Sequence, residues 1–167
     1  MGLTLYAMSR AVSLGFALTL ALSVFLVDQG LKRLIEGSMR LGENIPVIPD
    51  ILYLTYVKNA GGAFGILDGR GGVLLLGSAI AVVFVLWMLL EGPPTLTTTL
   101  GCGLILGGAA GNLLDRLTSG EVTDYVYFTF WYVFNIADAA IVFGTVVLLS
   151  AAFRPGKADQ KKQKTNS

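Results

Sequence analysis

The chain contains no histidine. That removes every catalytic device built on an imidazole, serine–histidine and cysteine–histidine pairs among them, and most transition-metal sites. It has a single cysteine, Cys102, so no disulfide can form within it. Lying between two glycines in an apolar run, Cys102 reads as a small buried packing residue. Charge is scarce as well. Only 14% of the 167 residues are charged, against about 25% in a soluble domain. The net charge of +1 leaves no broad basic surface for nucleic acid.

What fills the space is apolar: 54% of residues are hydrophobic and the mean hydropathy is +0.70. Four runs approach the roughly 20 residues that cross a bilayer: Ala11 to Leu31, Gly71 to Leu90, Leu96 to Leu114, and Phe134 to Phe153. No A-x-A cleavage site follows the first run; Asp28, Gln29, Lys32 and Arg33 do, so it reads as a retained span. The expected fold is a mostly α membrane protein with four transmembrane helices. One membrane domain covers 1–153, and a polar tail, 154–167, is expected to be disordered. The tail carries five basic residues against one acidic between Arg154 and Lys164, which places it and the N-terminus in the cytoplasm.

Two segments then face outward, about 32–70 and 116–132. In the first, Ile45–Pro49 and Ile51–Val57 are rich in β-branched and aromatic residues and bounded by turn formers. They predict a small extracytoplasmic β-sheet, with Gly61-Gly62 as a turn. In the second, Tyr125, Tyr127, Phe128, Phe130, Trp131 and Tyr132 crowd together as an aromatic interfacial segment, and equally as a wall beside a site.

The polar residues inside this apolar frame carry the functional argument. Asp115 closes G-G-A-A-G-N-L-L-D-R and Asp138 lies in F-N-I-A-D-A-A-I. A carboxylate at mid-membrane costs roughly 2.5–3.5 kcal/mol on insertion scales, so each is a functional candidate. Asn112 and Asp115 share a helix face at a spacing of three, and Asn135 and Asp138 repeat it. Topology alone collects Asp28, Asn59, Asn112, Asp115, Asp124, Asn135 and Asp138 at the outer boundary. Asp28 with Lys32 reads as a structural i,i+4 ion pair. Asp115 reads as a partner of Arg116 or an organiser of the neighbouring loop. Asp138 has the strongest functional case on the residues alone. Asp124 reads as a loop residue or a helix cap as much as a catalyst. The glycines from Gly107 to Gly111 predict a close helix seam. Two other chemistries compete: a serine–lysine peptidase using Ser119 with Lys32 or Lys58, and a proton-coupled transporter with the acids as a relay.

The motifs D-Q-G-L-K (Asp28 to Lys32), N-A-G-G-A-F (Asn59 to Phe64), G-N-L-L-D-R (Gly111 to Arg116), V-T-D-Y (Val122 to Tyr125) and F-N-I-A-D-A-A-I occur in one order. In that order the chain resembles the bacterial lipoprotein signal peptidases, or signal peptidase II. The resemblance implies an intramembrane aspartic endopeptidase of the bacterial inner membrane. It would cut diacylglyceryl-modified prolipoproteins just before the lipidated cysteine, at the periplasmic face. It implies Asp124 and Asp138 as the catalytic pair, with Asn59, Asn112, Asp115, Arg116, Asn135 and Asp28 in support. The position after Asp124 departs from the usual phenylalanine and is Tyr125. No cofactor and no metal are expected, and the partners are the prolipoprotein and membrane lipids, with the chain acting as a monomer.

Overall fold

The computed structural model describes residues 9–60 and 71–152. The expected turn at Gly61-Gly62, residues 61–70 and the tail 154–167 lie outside the described residues.

Four helices and three strands form in the order α1 (Arg10–Ser38), β1 (Asn44–Ile48), β2 (Leu52–Asn59), α2 (Gly71–Glu91), α3 (Leu96–Thr118), β3 (Val122–Phe128) and α4 (Ile136–Ala152). Ser9 caps α1 by accepting from the Val12 amide at 3.3 Å, and Thr95 caps α3 by accepting from Thr98 at 3.2 Å. Each hydroxyl satisfies an amide that a helix start would otherwise orphan. Gly92-Pro93-Pro94 ends α2 and forces the turn into α3, since proline cannot continue a helix.

Three helices, α1, α2 and α3, are long and apolar enough to cross a membrane, and α4 is a shorter apolar one. At about 1.5 Å per residue, the 29 residues of α1 exceed a hydrocarbon core of about 30 Å. The excess lies where the sequence predicted an outward loop beginning near Lys32: the helix continues to Ser38. Its last turns carry Ile35 and Met39, which pack with Tyr125 beneath the sheet. The C-terminal end of α1 is thus the post on which the sheet stands.

At the centre of the bundle, α3 contacts α1, α2 and α4. Glycines make this possible. A Cβ on Gly107 would lie 2.5 Å from the Ala21 carbonyl oxygen of α1, and one on Gly108 would collide with the Ala137 carbonyl of α4. The expected seam is therefore two-sided. Cys102 is fully buried in the α1–α2–α3 core with Ala17, Ala21, Val85, Leu89, Ile105 and Leu106.

The sheet has the order β1-β2-β3 and is antiparallel throughout. The first two strands match the sequence reading. The third does not appear in it: residues 122–128, of which those from Tyr125 on were read as an aromatic interfacial segment, pair with β2. Val126 then exchanges backbone hydrogen bonds with Phe134, at 2.8 and 3.0 Å. This return folds the chain back so that α4 starts beside β3.

Candidate active site

The site assembles where the C-terminal ends of α1 and α3, the start of α4 and the strands β2 and β3 meet. Cross-strand register sets Val57 opposite Asp124 and Asn59 opposite Val122. Asn59 and Asp124 are then diagonal neighbours, and Asn59 Nδ2 donates to Asp124 Oδ2 at 2.8 Å. The other carboxylate oxygen, Oδ1, accepts from Asn135 Nδ2 at 2.7 Å.

Asn135 is the residue that joins the two halves. It caps α4, and its Oδ1 accepts from the Asp138 amide at 2.9 Å while Asp138 Oδ2 accepts from the Asn135 amide at 3.2 Å. This reciprocal pair is a capping box with aspartate in place of glutamate. Asp138 therefore sits in the first turn of α4. There the positive end of the helix dipole favours a negative charge. Asn112 Nδ2 supplies a further donor to Asp138 Oδ1, at 2.8 Å. One asparagine thus touches both Asp124 and Asp138.

Both carboxylates line one cavity of about 300 Å³, with Asn59, Arg116, Trp131, Tyr132 and Ile141 on its walls. Asp124 is only 2% exposed. Burial, opposed by the Asn59 donor and reinforced by the nearby Asp138 charge, pushes its pKa up to about 7. Asp124 can therefore give and take a proton near neutral pH. Tyr125, next along β3, faces the other way. Its hydroxyl accepts from the Ile136 amide at 3.2 Å, and burial first of all raises its pKa to about 12. The aromatic segment divides accordingly. Tyr125 is buried, while Phe130 and Trp131 are mostly exposed.

A second polar cluster adjoins the first. Lys32 Nζ lies 2.7 Å from Asp28 Oδ2 and 2.7 Å from Asp115 Oδ2. The expected Asp28–Lys32 pair is present, but Asp115 pairs with Lys32 rather than with Arg116. Arg116 donates instead to Ser78 Oγ of α2 at 3.1 Å and to the Asn112 carbonyl at 3.4 Å. Gln29 donates to Asp115 Oδ1 at 2.8 Å. Asp28 Oδ1 accepts from the Ala137 amide at 3.2 Å, tying α1 to the start of α4. Gln29 was not singled out by sequence reasoning, and Lys32 only as the ion-pair partner of Asp28 or as the base of the serine–lysine alternative. The D-Q-G-L-K motif held both, and their i,i+3 and i,i+4 places relative to α1 were the available signal.

The competing serine–lysine arrangement does not form. Ser119 Oγ donates to the Asp115 and Glu121 carbonyls at 2.9 and 2.8 Å, and Lys32 and Lys58 are held by carboxylates. Among the described residues, no three His, Cys, Asp or Glu side chains converge as metal ligands.

Comparison with known proteins gives the family and the fold. Residues 20–154 match the family model of signal peptidase II. A lipoprotein signal peptidase of Halothermothrix orenii is 43% identical over 128 residues, covering 77% of this chain and 88% of the relative. One from Desulfitobacterium hafniense is 42% identical over 144 residues, covering 85% and 93%. A bacterial membrane enzyme solved by the in meso method at 2.3 Å resolution superposes with a TM-score of 0.78 at 29% identity, covering 83% of this chain and 87% of its own.

Proposed function

The chain belongs to the signal peptidase II family, and from that membership we propose that it removes the signal peptide of diacylglyceryl-modified prolipoproteins by aspartic chemistry at Asp124 and Asp138, just before the lipidated cysteine. Its activity is that of a membrane peptidase acting on lipoprotein signal peptides; the catalytic type and the cut site are the proposal. The observation that carries it is Asn135, which bonds both carboxylates at the rim of one cavity.

The two carboxyls differ in environment, and this assigns their roles. Asp124 is buried, and its raised pKa suits it to carry the shared proton near neutrality. Asp138 has the helix start and two amide donors to stabilise a negative charge. In the first step, Asp138 takes a proton from a water in the cavity. The hydroxide so formed bonds to the scissile carbonyl carbon, while Asp124 gives its proton to the carbonyl oxygen. The tetrahedral diol then collapses. Asp138 passes its proton to the leaving nitrogen, the C–N bond breaks, and Asp124 recovers a proton from a diol hydroxyl. The enzyme ends as it began, with no covalent intermediate. Asn59, Asn112 and Asn135 orient the pair, Arg116 stands on the cavity wall, and Asp28 and Asp115 brace the elements that carry it.

The position suits the substrate. Acyl chains remain in the bilayer, where each buried CH₂ contributes about 0.8 kcal/mol, while the cysteine sits at headgroup depth. We place the site at the periplasmic leaflet of the inner membrane, with both termini cytoplasmic and the chain acting as a monomer. Incubation with a diacylglyceryl-modified precursor tests the chemistry. Asp124→Asn and Asp138→Asn should each abolish cleavage while the protein stays folded, and full turnover by either variant refutes the assignment.

A further inference from the structure

We propose that Lys32 is a positioning residue for this hydrolysis: it fixes the Asn112 side chain so that its N–H, and not its carbonyl, faces Asp138. The inference rests on the aspartic reading above.

Lys32 is 2% exposed and has acceptors on three sides: Asp28 Oδ2 at 2.7 Å, Asp115 Oδ2 at 2.7 Å and Asn112 Oδ1 at 2.9 Å. An ammonium has three donors and no lone pair. The atom that Asn112 turns toward it must therefore be the oxygen. Asn135 Nδ2, 3.2 Å from the same oxygen, makes the same demand. Once the oxygen is committed, the amide nitrogen has one direction left, and it points at Asp138 Oδ1 at 2.8 Å. The reversed amide would set N–H against ammonium on one side and oxygen against carboxylate on the other, two repulsive contacts in a buried site.

The relay runs across three helices, from Lys32 on α1 through Asn112 on α3 to Asp138 on α4. Gly111 allows it. A Cβ there would stand 2.5 Å from Asp28 Oδ2, so any larger residue would push the Asp28–Lys32 pair away from Asn112. The simpler role for Lys32 is to offset the buried charges of Asp28 and Asp115, and the two roles predict different outcomes.

The test compares Lys32→Met with the triple variant Asp28→Asn/Lys32→Met/Asp115→Asn, which removes the ammonium and both carboxylates together. Melting temperature, kcat and KM are measured on a diacylglyceryl-modified precursor. If Lys32 acts through Asn112, kcat falls about 100-fold in both variants, the cost of a misplaced group near the chemistry, with KM held. The triple variant regains the melting temperature but not kcat. Recovery of wild-type kcat in the triple variant, or a loss confined to KM, overturns the proposal. Asn112→Asp decides the matter should both Lys32 variants fail to fold. It keeps an oxygen for Lys32 but turns a second oxygen toward Asp138, so kcat should fall to a similar degree; an unchanged kcat overturns the proposal. Asp124→Asn and Asp138→Asn run alongside. Activity in those two refutes the aspartic reading itself. Their inactivity beside a fully active triple variant refutes only the role of Lys32.

Discussion

Asp28 and Asp115 each lie 2.7 Å from the Lys32 ammonium, whereas Asp124 and Asp138, at the same end of the same bundle, form no ion pair among the described residues. Their partners are amides: Asn59 and Asn135 for Asp124, Asn112 and the Asn135 backbone for Asp138. The same side chain is thus used in two ways within a few ångströms. A carboxylate beside a cation has its charge offset by that partner. A carboxyl without one is governed by burial, which drives Asp124 up to about 7 and leaves it able to give and take a proton near neutrality. The proposed reactive pair is distinguished by amide partners in place of a cation. The distinction also separates stability from catalysis, and variants on either side of it should respond differently.

The sharpest break comes from removing the proton chemistry. Asp124→Asn keeps the shape but offers one acceptor oxygen where the carboxyl has two, so it can accept from only one of Asn59 and Asn135; cleavage should fall by about 10²–10⁴-fold or more, the usual size of a general acid–base contribution. Stability should move the other way. A carboxyl whose pKa is raised on folding binds more protons folded than unfolded, so its contribution is favourable at low pH and is lost as pH rises toward about 7. At pH 8 the variant should melt at or above the wild-type temperature. A large drop in melting temperature would place Asp124 with the bracing residues instead.

The pH profile gives the next effect. With Asp124 as the proton donor, kcat should decline as pH rises through about 7, approaching tenfold per pH unit on the alkaline side, with the apparent midpoint belonging to the coupled pair. An alkaline limb moved to higher pH in Asn59→Ala, which deletes a donor to the Asp124 carboxylate, would sharpen the assignment. A profile flat to pH 9 would sink it.

On the paired side, Asp115→Asn should cost stability. It leaves the buried Lys32 with one carboxylate in place of two, and losing one partner of a buried pair typically costs about 3–5 kcal/mol. Asp115 is 12% exposed, so the effect should fall at or below the low end of that range. The carboxylate oxygen facing Lys32 is held by charge rather than by an aligned hydrogen bond, and asparagine can still accept from Gln29. The measurement is thermal melting in detergent, and a melting temperature unchanged from wild type would mean that Lys32 is satisfied without Asp115.

Much of this was legible in the chain. Apolar run lengths gave the helices, and β-branched residues between prolines gave β1 and β2. The i,i+3 pairs Asn112/Asp115 and Asn135/Asp138 gave two faces of the site. The third strand was hidden because V-T-D-Y-V-Y-F satisfies both a strand and an interfacial aromatic belt, and only pairing with β2 decides between them. The capping box was present as Asn135 and Asp138, but its meaning depends on α4 starting at Ile136 rather than near Phe134. Least legible was the partner of Asp115. The adjacent Arg116 is the obvious local choice, yet the ammonium that meets it comes from Lys32, far away in sequence. Local spacing shows which face a residue occupies; it does not show which distant side chain wins it.

The smallest effect is expected at a third acidic group, and its size tests where the site ends. Glu36 Oε1 accepts from Lys58 Nζ at 2.6 Å and from Thr123 Oγ1 at 2.5 Å, joining the last turns of α1 to β2 and β3. Lys58 and Thr123 are register partners and sit one residue from Asn59 and Asp124. The Glu36 side chain is 37% exposed and that of Lys58 24%. Water and salt screen such a pair, and exposed pairs contribute about 0–1 kcal/mol. Strand alternation also turns Lys58 and Thr123 to the face opposite their catalytic-side neighbours. Glu36→Gln keeps an acceptor for both donors and should therefore lower the melting temperature slightly, more at low salt than at high, with kcat unchanged. A loss of kcat would mean that the position of Asp124 depends on this outer pair, and that the boundary between bracing and reacting carboxylates runs one strand residue further out than the Lys32 cluster.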